Sequence, residues 1–296
     1  MIILLFYILH GYEKRRKGNW SMLNSFIEKT DVIIFDLDGT LYEGDGHFSL
    51  MVENLKKRLP EEHHQDFDQL YKQSLAGEHS LTIGKVYDIQ EDVIWTWNPF
   101  TTELTVAHNW DNEVVEIEDA PKKLSVSEFD YKRFVPIGDG WWPPYSIARH
   151  FGLKNDDTEW AYHRTKEQMA NLDGFLEPTP GLRGYLEELA KTKKLVLITN
   201  SEINDVHRLL KFLGLDHIFS DIVPSALKPK NTNKHFEEVL TRYDVKPEQV
   251  LSIGDNFMNE VAPALQLGMY SVWLTTSEDV PVEDKKFAKI RTLAQN

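Results

Sequence analysis

Cysteine is absent from all 296 residues, which excludes disulfide scaffolds, thiolate zinc sites and cysteine nucleophiles and fits a reducing, cytoplasmic setting. Positive charge is also scarce. With 33 Lys and Arg against 47 Asp and Glu, the formal net charge is −14, and no basic stripe offers duplex nucleic acid a footprint. Long apolar runs are missing too. The strongest, Ile2 to Leu9, falls well short of the roughly 20 residues a membrane-spanning helix needs, so no membrane partner is expected. No Lys or Arg precedes that run, Lys14 to Lys17 follows it, and no small-residue cleavage site is evident, so it does not read as a secretory signal. Residues 1–21 are read instead as an N-terminal extension outside the true protein, which would start at Met22; a short amphipathic anchor is the alternative.

What is present is an ordinary globular composition, 41% hydrophobic and 27% charged. Asp31-Val-Ile-Ile-Phe-Asp36 is a β-branched run of the kind buried on both faces of a parallel sheet. Two more such runs, Lys194 to Thr199 and Gln249 to Gly254, are each followed by a polar turn and a helical pattern, as βαβ units require. Pro180 marks a helix start, and Asn204 to Leu213 with Gly214 reads as a helix with its stop. The predicted core is therefore a doubly wound, mostly parallel α/β sheet, built from residues 22–42 and 179–296.

Between them, residues 43–178 are too many for a loop and predict an inserted α+β cap domain. Leu50 to Ala76 is helical with a break at Pro60. Four partly alternating runs, at Lys85, Asp92, Glu103 and Glu113, predict an antiparallel meander, and helix resumes from about Pro144 to Ala170. Six of the eight tryptophans lie here, predicting a small aromatic β core, with a substrate slot or subunit contact as the other reading. Gly138-Asp-Gly-Trp-Trp-Pro-Pro reads as an irregular loop, the acids from Asp111 to Asp130 as a solvated face, and His63-His64 as surface residues.

Chemistry gathers at the carboxyl ends of the apolar runs, where open α/β sheets place their crevices. Asp36 and Asp38 leave a buried strand into a turn containing Gly39, a costly position unless a cation or strong donors offset the charge. Thr199-Asn200-Ser201 offers a hydroxyl and free N–H groups near a helix start. Lys228-Pro229 offers a cation on a stiffened turn, and Gly254-Asp255 with Asn259 and Glu260 forms a second acidic cluster.

Together, Asp36-Leu-Asp-Gly-Thr40, the strand ending at Thr199, Lys228 and Gly254-Asp-Asn-Phe-Met-Asn-Glu260 resemble the four ordered motifs of the haloacid dehalogenase-like hydrolase superfamily. The resemblance covers residues 31–42 and 178–275; the middle matches only in position the cap that one branch inserts after its first motif. It implies a Rossmann-like core and a phosphatase acting on a small soluble phosphate ester. Asp36 would be the nucleophile, forming an aspartyl-phosphate. Asp38 would be the general acid and then the base, and its presence separates phosphorus-directed members from dehalogenases. Thr199, Asn200 and Lys228 would hold the phosphoryl oxygens. Mg²⁺ would sit on Asp36, Asp255 and the Asp38 carbonyl. Glu260 stands where the family usually has Asp, and would either reach the metal through water or support Lys228. A mobile cap would exclude bulk water. A sugar-phosphate phosphomutase and a noncatalytic binding protein on the same scaffold are the competing expectations.

Overall fold

Side-chain alternation along the first strand organises the core. In β1 (Val32–Phe35) all four residues are buried, Ile33 and Phe35 in one apolar cluster, Val32 and Ile34 in another. Successive side chains point to opposite faces of a strand, so a fully apolar run needs cover on both sides. The computed structural model describes residues 20–43, 46–171, 176–277 and 282–295. The apolar run from Ile2 and the basic cluster after it lie outside these.

Helix α1 (residues 20–29) precedes β1 and was not anticipated; its Leu23, Phe26 and Ile27 enter the first cluster. After β1 the chain passes through β2 (Tyr42–Glu43), α2 (Gly46–Lys56), α3 (His64–Ala76), β3 (Lys85–Asp88), β4 (Val93–Trp97), β5 (Leu104–His108), β6 (Val114–Val115), β7 (Phe134–Pro136), α4 (Trp142–His150), α5 (Asn155–Asn171) and β8 (Glu177–Pro178). It then returns through α6 (Leu182–Leu189), β9 (Lys194–Ile198), α7 (Ile203–Leu213), β10 (Asp221–Val223), α8 (Thr232–Tyr243), β11 (Val250–Gly254), α9 (Ala262–Gln266), β12 (Tyr270–Leu274) and β13 (Phe287–Ile290).

The main sheet has the order β10-β9-β1-β11-β12-β13, and every neighbouring pair is parallel. Phe35 stands in register with Leu197 on one side and Ile253 on the other, so the three strand ends that carry the polar motifs emerge side by side. Helices α1, α6 and α7 cover one face, α8 and α9 the other. Gly214 closes α7 at φ 68°, a left-handed conformation in which a side chain would be strained.

The inserted segment leaves and rejoins through β2 and β8, which pair antiparallel. Its own sheet has the order β6-β5-β4-β3-β7. One face, with Tyr87, Ile94 and Val135, packs against helices α2 to α5. The other face, with Val86, Trp95, Trp97 and Leu104, forms one buried cluster with Phe257, Met258, Val261 and Trp273 of the main core. This sheet therefore lies between the insert helices and the core and has no apolar face left for independent motion. Trp95 and Trp97 belong to that shared core.

Two details differ from the sequence reading. The helical stretch after Pro144 is two helices, separated near Gly152, whose φ of 89° ends α4. His64 is not a bare surface residue: its Nε2 lies 2.9 Å from the Lys56 carbonyl and 3.1 Å from that of Leu59, bridging the break at Pro60.

Candidate active site

The ladder continues one residue past β1, with the Asp36 N–H donating to the Ile253 carbonyl at 3.0 Å, so Asp36 leaves the sheet in a fixed direction. Leu37 then turns the chain, its carbonyl accepting from the N–H groups of Thr40 and Leu41. Gly39 within that turn has φ 74°, and a Cβ there would stand 2.4 Å from Asp255 Oδ2. Only glycine lets this turn approach the Asp255 carboxyl so closely.

Lys228 ties the strand ends together. Its Nζ donates to Asp36 Oδ1 at 2.7 Å, to Glu260 Oε1 at 2.5 Å and to the Ile198 carbonyl at 2.9 Å, with the side chain almost fully buried. Asn200 holds the lysine's backbone twice, accepting from its N–H at 2.7 Å and donating to its carbonyl at 3.1 Å. Ser225 and Leu227, at φ 47° and 53°, hold backbone conformations costing about 1–3 kcal/mol each in the loop that delivers Lys228. Thr199 is fully buried and its hydroxyl accepts the Ser201 N–H at 3.1 Å. Glu260 meets Lys228 directly, and its other oxygen accepts the Asn256 N–H at 3.0 Å.

Around Asp38 are groups that the sequence reading did not assign. Tyr42 donates to its Oδ1 and Ser201 to its Oδ2, both at 2.6 Å, and Lys166 from the insert stands 3.7 Å away. Burial acts to raise the Asp38 pKa, but the Lys166 charge and the two hydroxyls outweigh it and hold the carboxyl below its ordinary value. Asp36 is shifted the other way, by burial and the nearby Asp38, against the pull of Lys228. Burial followed by the charges of Asp36, Asp139 and Glu260 pushes Asp255 well above the carboxylate range. Glu260 is pushed up to about 8, by burial that Lys228 only partly offsets.

A cation fits this excess of acid. Asp36, buried, and Asp255, partly buried, bring hard oxygen donors to one cavity with the Lys228 ammonium beside Asp36. Among the described residues no group of three or more His, Asp or Glu side chains is set to hold a metal. An ion here would rest on two carboxylates, a main-chain carbonyl and water, which is the habit of Mg²⁺.

The Gly138 loop, irregular as its sequence suggests, reaches this site. Asp139 Oδ2 accepts from Asn256 Nδ2 at 2.5 Å, and the Gly138 carbonyl accepts the Phe257 N–H at 3.0 Å. Burial pushes the Asp139 carboxyl up to about 6. The folded protein therefore holds this proton more tightly than the unfolded chain, and stability falls as pH rises from about 4 to about 6. Asp139→Asn lacks that slope. The stability of the variant relative to wild type is expected to improve by about 1–3 kcal/mol between pH 4 and 7. Urea unfolding in chelator at each pH measures it, and a pH-independent difference would count against the shift.

Asp36, Asp38, Thr199, Asn200, Lys228 and Asp255 all line one cavity of about 300 Å³, and the insert supplies its opposite wall. The family model for haloacid dehalogenase-like hydrolases matches residues 30–268, and the chain belongs to this family of hydrolases. Among curated proteins it is similar to the glyceraldehyde 3-phosphate phosphatase of Pyrococcus furiosus, 28% identical over 134 residues, 43% of this chain and 53% of that one. It is also 28% identical over 143 residues to the phosphoglycolate phosphatase of Pasteurella multocida, covering 44% of this chain and 61% of that one. The chain thus spans between half and two thirds of the length of these relatives. A solved haloacid dehalogenase-like structure from Bacteroides fragilis aligns with TM-score 0.50 at 15% identity, over 90% of this chain and 98% of that one, which is a likeness of fold. No helix among the described residues is long and apolar enough to cross a membrane.

Proposed function

We propose that this chain is a Mg²⁺-dependent phosphatase that hydrolyses a small phosphate monoester through an aspartyl-phosphate. The observation that carries the reading is the pairing of two differently treated carboxylates in one cavity. Asp36 is fixed at 2.7 Å by Lys228, while Asp38 is held ionised by Lys166, Ser201 and Tyr42.

An Asp36 oxygen attacks phosphorus, the ester P–O bond breaks, and the departing alkoxide takes a proton from Asp38. An arriving phosphate dianion raises the Asp38 pKa by like-charge repulsion, which supplies the protonated form. In the second half Asp38 takes a proton from water, whose oxygen attacks the acyl-phosphate and frees Asp36. The Thr199 hydroxyl and the Asn200 N–H hold the phosphoryl oxygens, and Lys228, whose three N–H groups go to Asp36, Glu260 and the Ile198 carbonyl, neutralises them as a point charge. Glu260 keeps Lys228 in place rather than reaching the metal through water. Mg²⁺ would be held by Asp36, Asp255 and the Asp38 carbonyl, and when bound it supplies positive charge between nucleophile and ester.

The test is release of inorganic phosphate from a panel of monoesters with Mg²⁺. Release is expected with at least one ester, to be lost in chelator and restored by excess Mg²⁺. No release from any ester, or release indifferent to chelator, would overturn the proposal.

A further inference from the structure

The insert wall of the cavity has a chemistry of its own. Along α5, Asn155, Glu159, Tyr162 and Lys166 recur at the spacing of one helical face and all line the cavity. From the start of α4 come Trp141, Trp142 and Tyr145. These rings are held by one another: Trp142 stacks on Tyr131 at 4.4 Å, and Trp141 meets Tyr162 edge to face at 5.4 Å. The wall facing the reacting carboxylates is therefore largely ring surface on short, packed side chains. The cavity is at the small end of ligand pockets.

Charge narrows the choice further. The two lysines that line the cavity are both set against carboxylates, Lys228 on Asp36 and Glu260, Lys166 beside Asp38. Glu159 and Asp139 add negative charge beyond them. A leaving group bearing its own carboxylate would meet acids there and, among the described residues, no lysine without a partner.

Resting on the phosphatase reading, we propose that the alcohol part of the substrate carries an uncharged planar aromatic ring system, as a nucleoside does. Flat rings find offset or edge-to-face partners in such a wall, whereas a short anionic alcohol meets Asp38, Asp139 and Glu159 and lysines already set against carboxylates.

Benzyl phosphate and cyclohexylmethyl phosphate have alcohols of similar acidity and size and differ in planarity, which makes them the deciding pair. kcat/KM is expected to favour benzyl phosphate by about tenfold, mostly through KM, and to favour adenosine monophosphate over phosphoglycolate by at least as much. Trp142→Leu, and independently the half-exposed Tyr162→Leu, are expected to shrink the benzyl preference severalfold. Trp160→Leu, on the same helix but outside the cavity and beside Arg58, leaves the preference unchanged. Equal rates for the pair, or preference for phosphoglycolate or glucose 6-phosphate, would overturn the proposal. Binding separates this failure from failure of the phosphatase reading. On Asp36→Asn protein with Mg²⁺, benzylphosphonate should quench tryptophan fluorescence at about tenfold lower concentration than propylphosphonate. Equal or absent quenching overturns the ring inference even where esters are hydrolysed. A clear preference without hydrolysis of any ester upholds ring binding and overturns only the activity.

Discussion

Asp36→Asn is expected to lower phosphate release by at least about 10³-fold while the protein stays folded. The amide keeps the shape of the carboxylate, and its oxygen can still accept from Lys228, but it is too weak a nucleophile to displace an alkoxide. Most catalytic substitutions leave open whether activity fell because the fold did; here the electrostatics separate the two. Burial and then the Asp36 charge raise the Asp255 pKa, so removing one member of a crowded acidic group relieves the other. In chelator the variant is expected to melt no lower than wild type. With Mg²⁺ the order should reverse, because wild type has one more negative ligand and gains more from the ion. Phosphate release within tenfold of wild type would remove Asp36 from the nucleophile's role. A large fall in melting temperature in chelator would instead make its bond to Lys228 structural.

The parts of this site legible in the sequence are those whose chemistry is local to a strand end. The strand ending at Phe35 and those ending at Ile198 and Gly254 announce themselves by unbroken apolar runs, and parallel register then brings Asp36, Thr199 and Asp255 to one edge. Lys228 could be found only through its family order, since its loop is irregular. Tyr42, Asp139 and Lys166 were not legible. Tyr42 follows the first motif but faces it only because the turn at Gly39 folds back, and a glycine-flanked Asp139 looks like any turn residue. Lys166 sits on a helix whose polar face resembles a solvated one. Strand β7, with three residues, and β2 and β8, with two each, are too short for alternation to register. Helix α1 begins at residue 20, inside the stretch that composition sets apart as an extension, so the helix that carries Leu23, Phe26 and Ile27 straddles the expected boundary at Met22.

Phe257→Ala tests whether the insert moves as a lid. Phe257 has no exposed surface, lies edge to face with Trp273 at 5.5 Å and belongs to the cluster shared with Trp95 and Trp97. Losing a buried phenyl ring costs about 3–5 kcal/mol. If the insert were an independently folding cap, that loss would fall on the core alone. Trp95, Trp97, Trp110, Trp141, Trp142 and Trp160 all lie in the insert, so tryptophan fluorescence reports mainly on the insert, and far-ultraviolet circular dichroism on the whole chain. Because the apolar cluster is continuous across the two, both signals are expected to fall together in wild type and to move together in the variant. A fluorescence transition that stays in place while the dichroism shifts would mean the β sheet folds without the core. Coincident shifts leave closure to the helices α2 to α5 alone. Those helices carry Lys166, Trp142 and Tyr162, so substrate entry would then be governed by small movements of the aromatic wall over a fixed sheet.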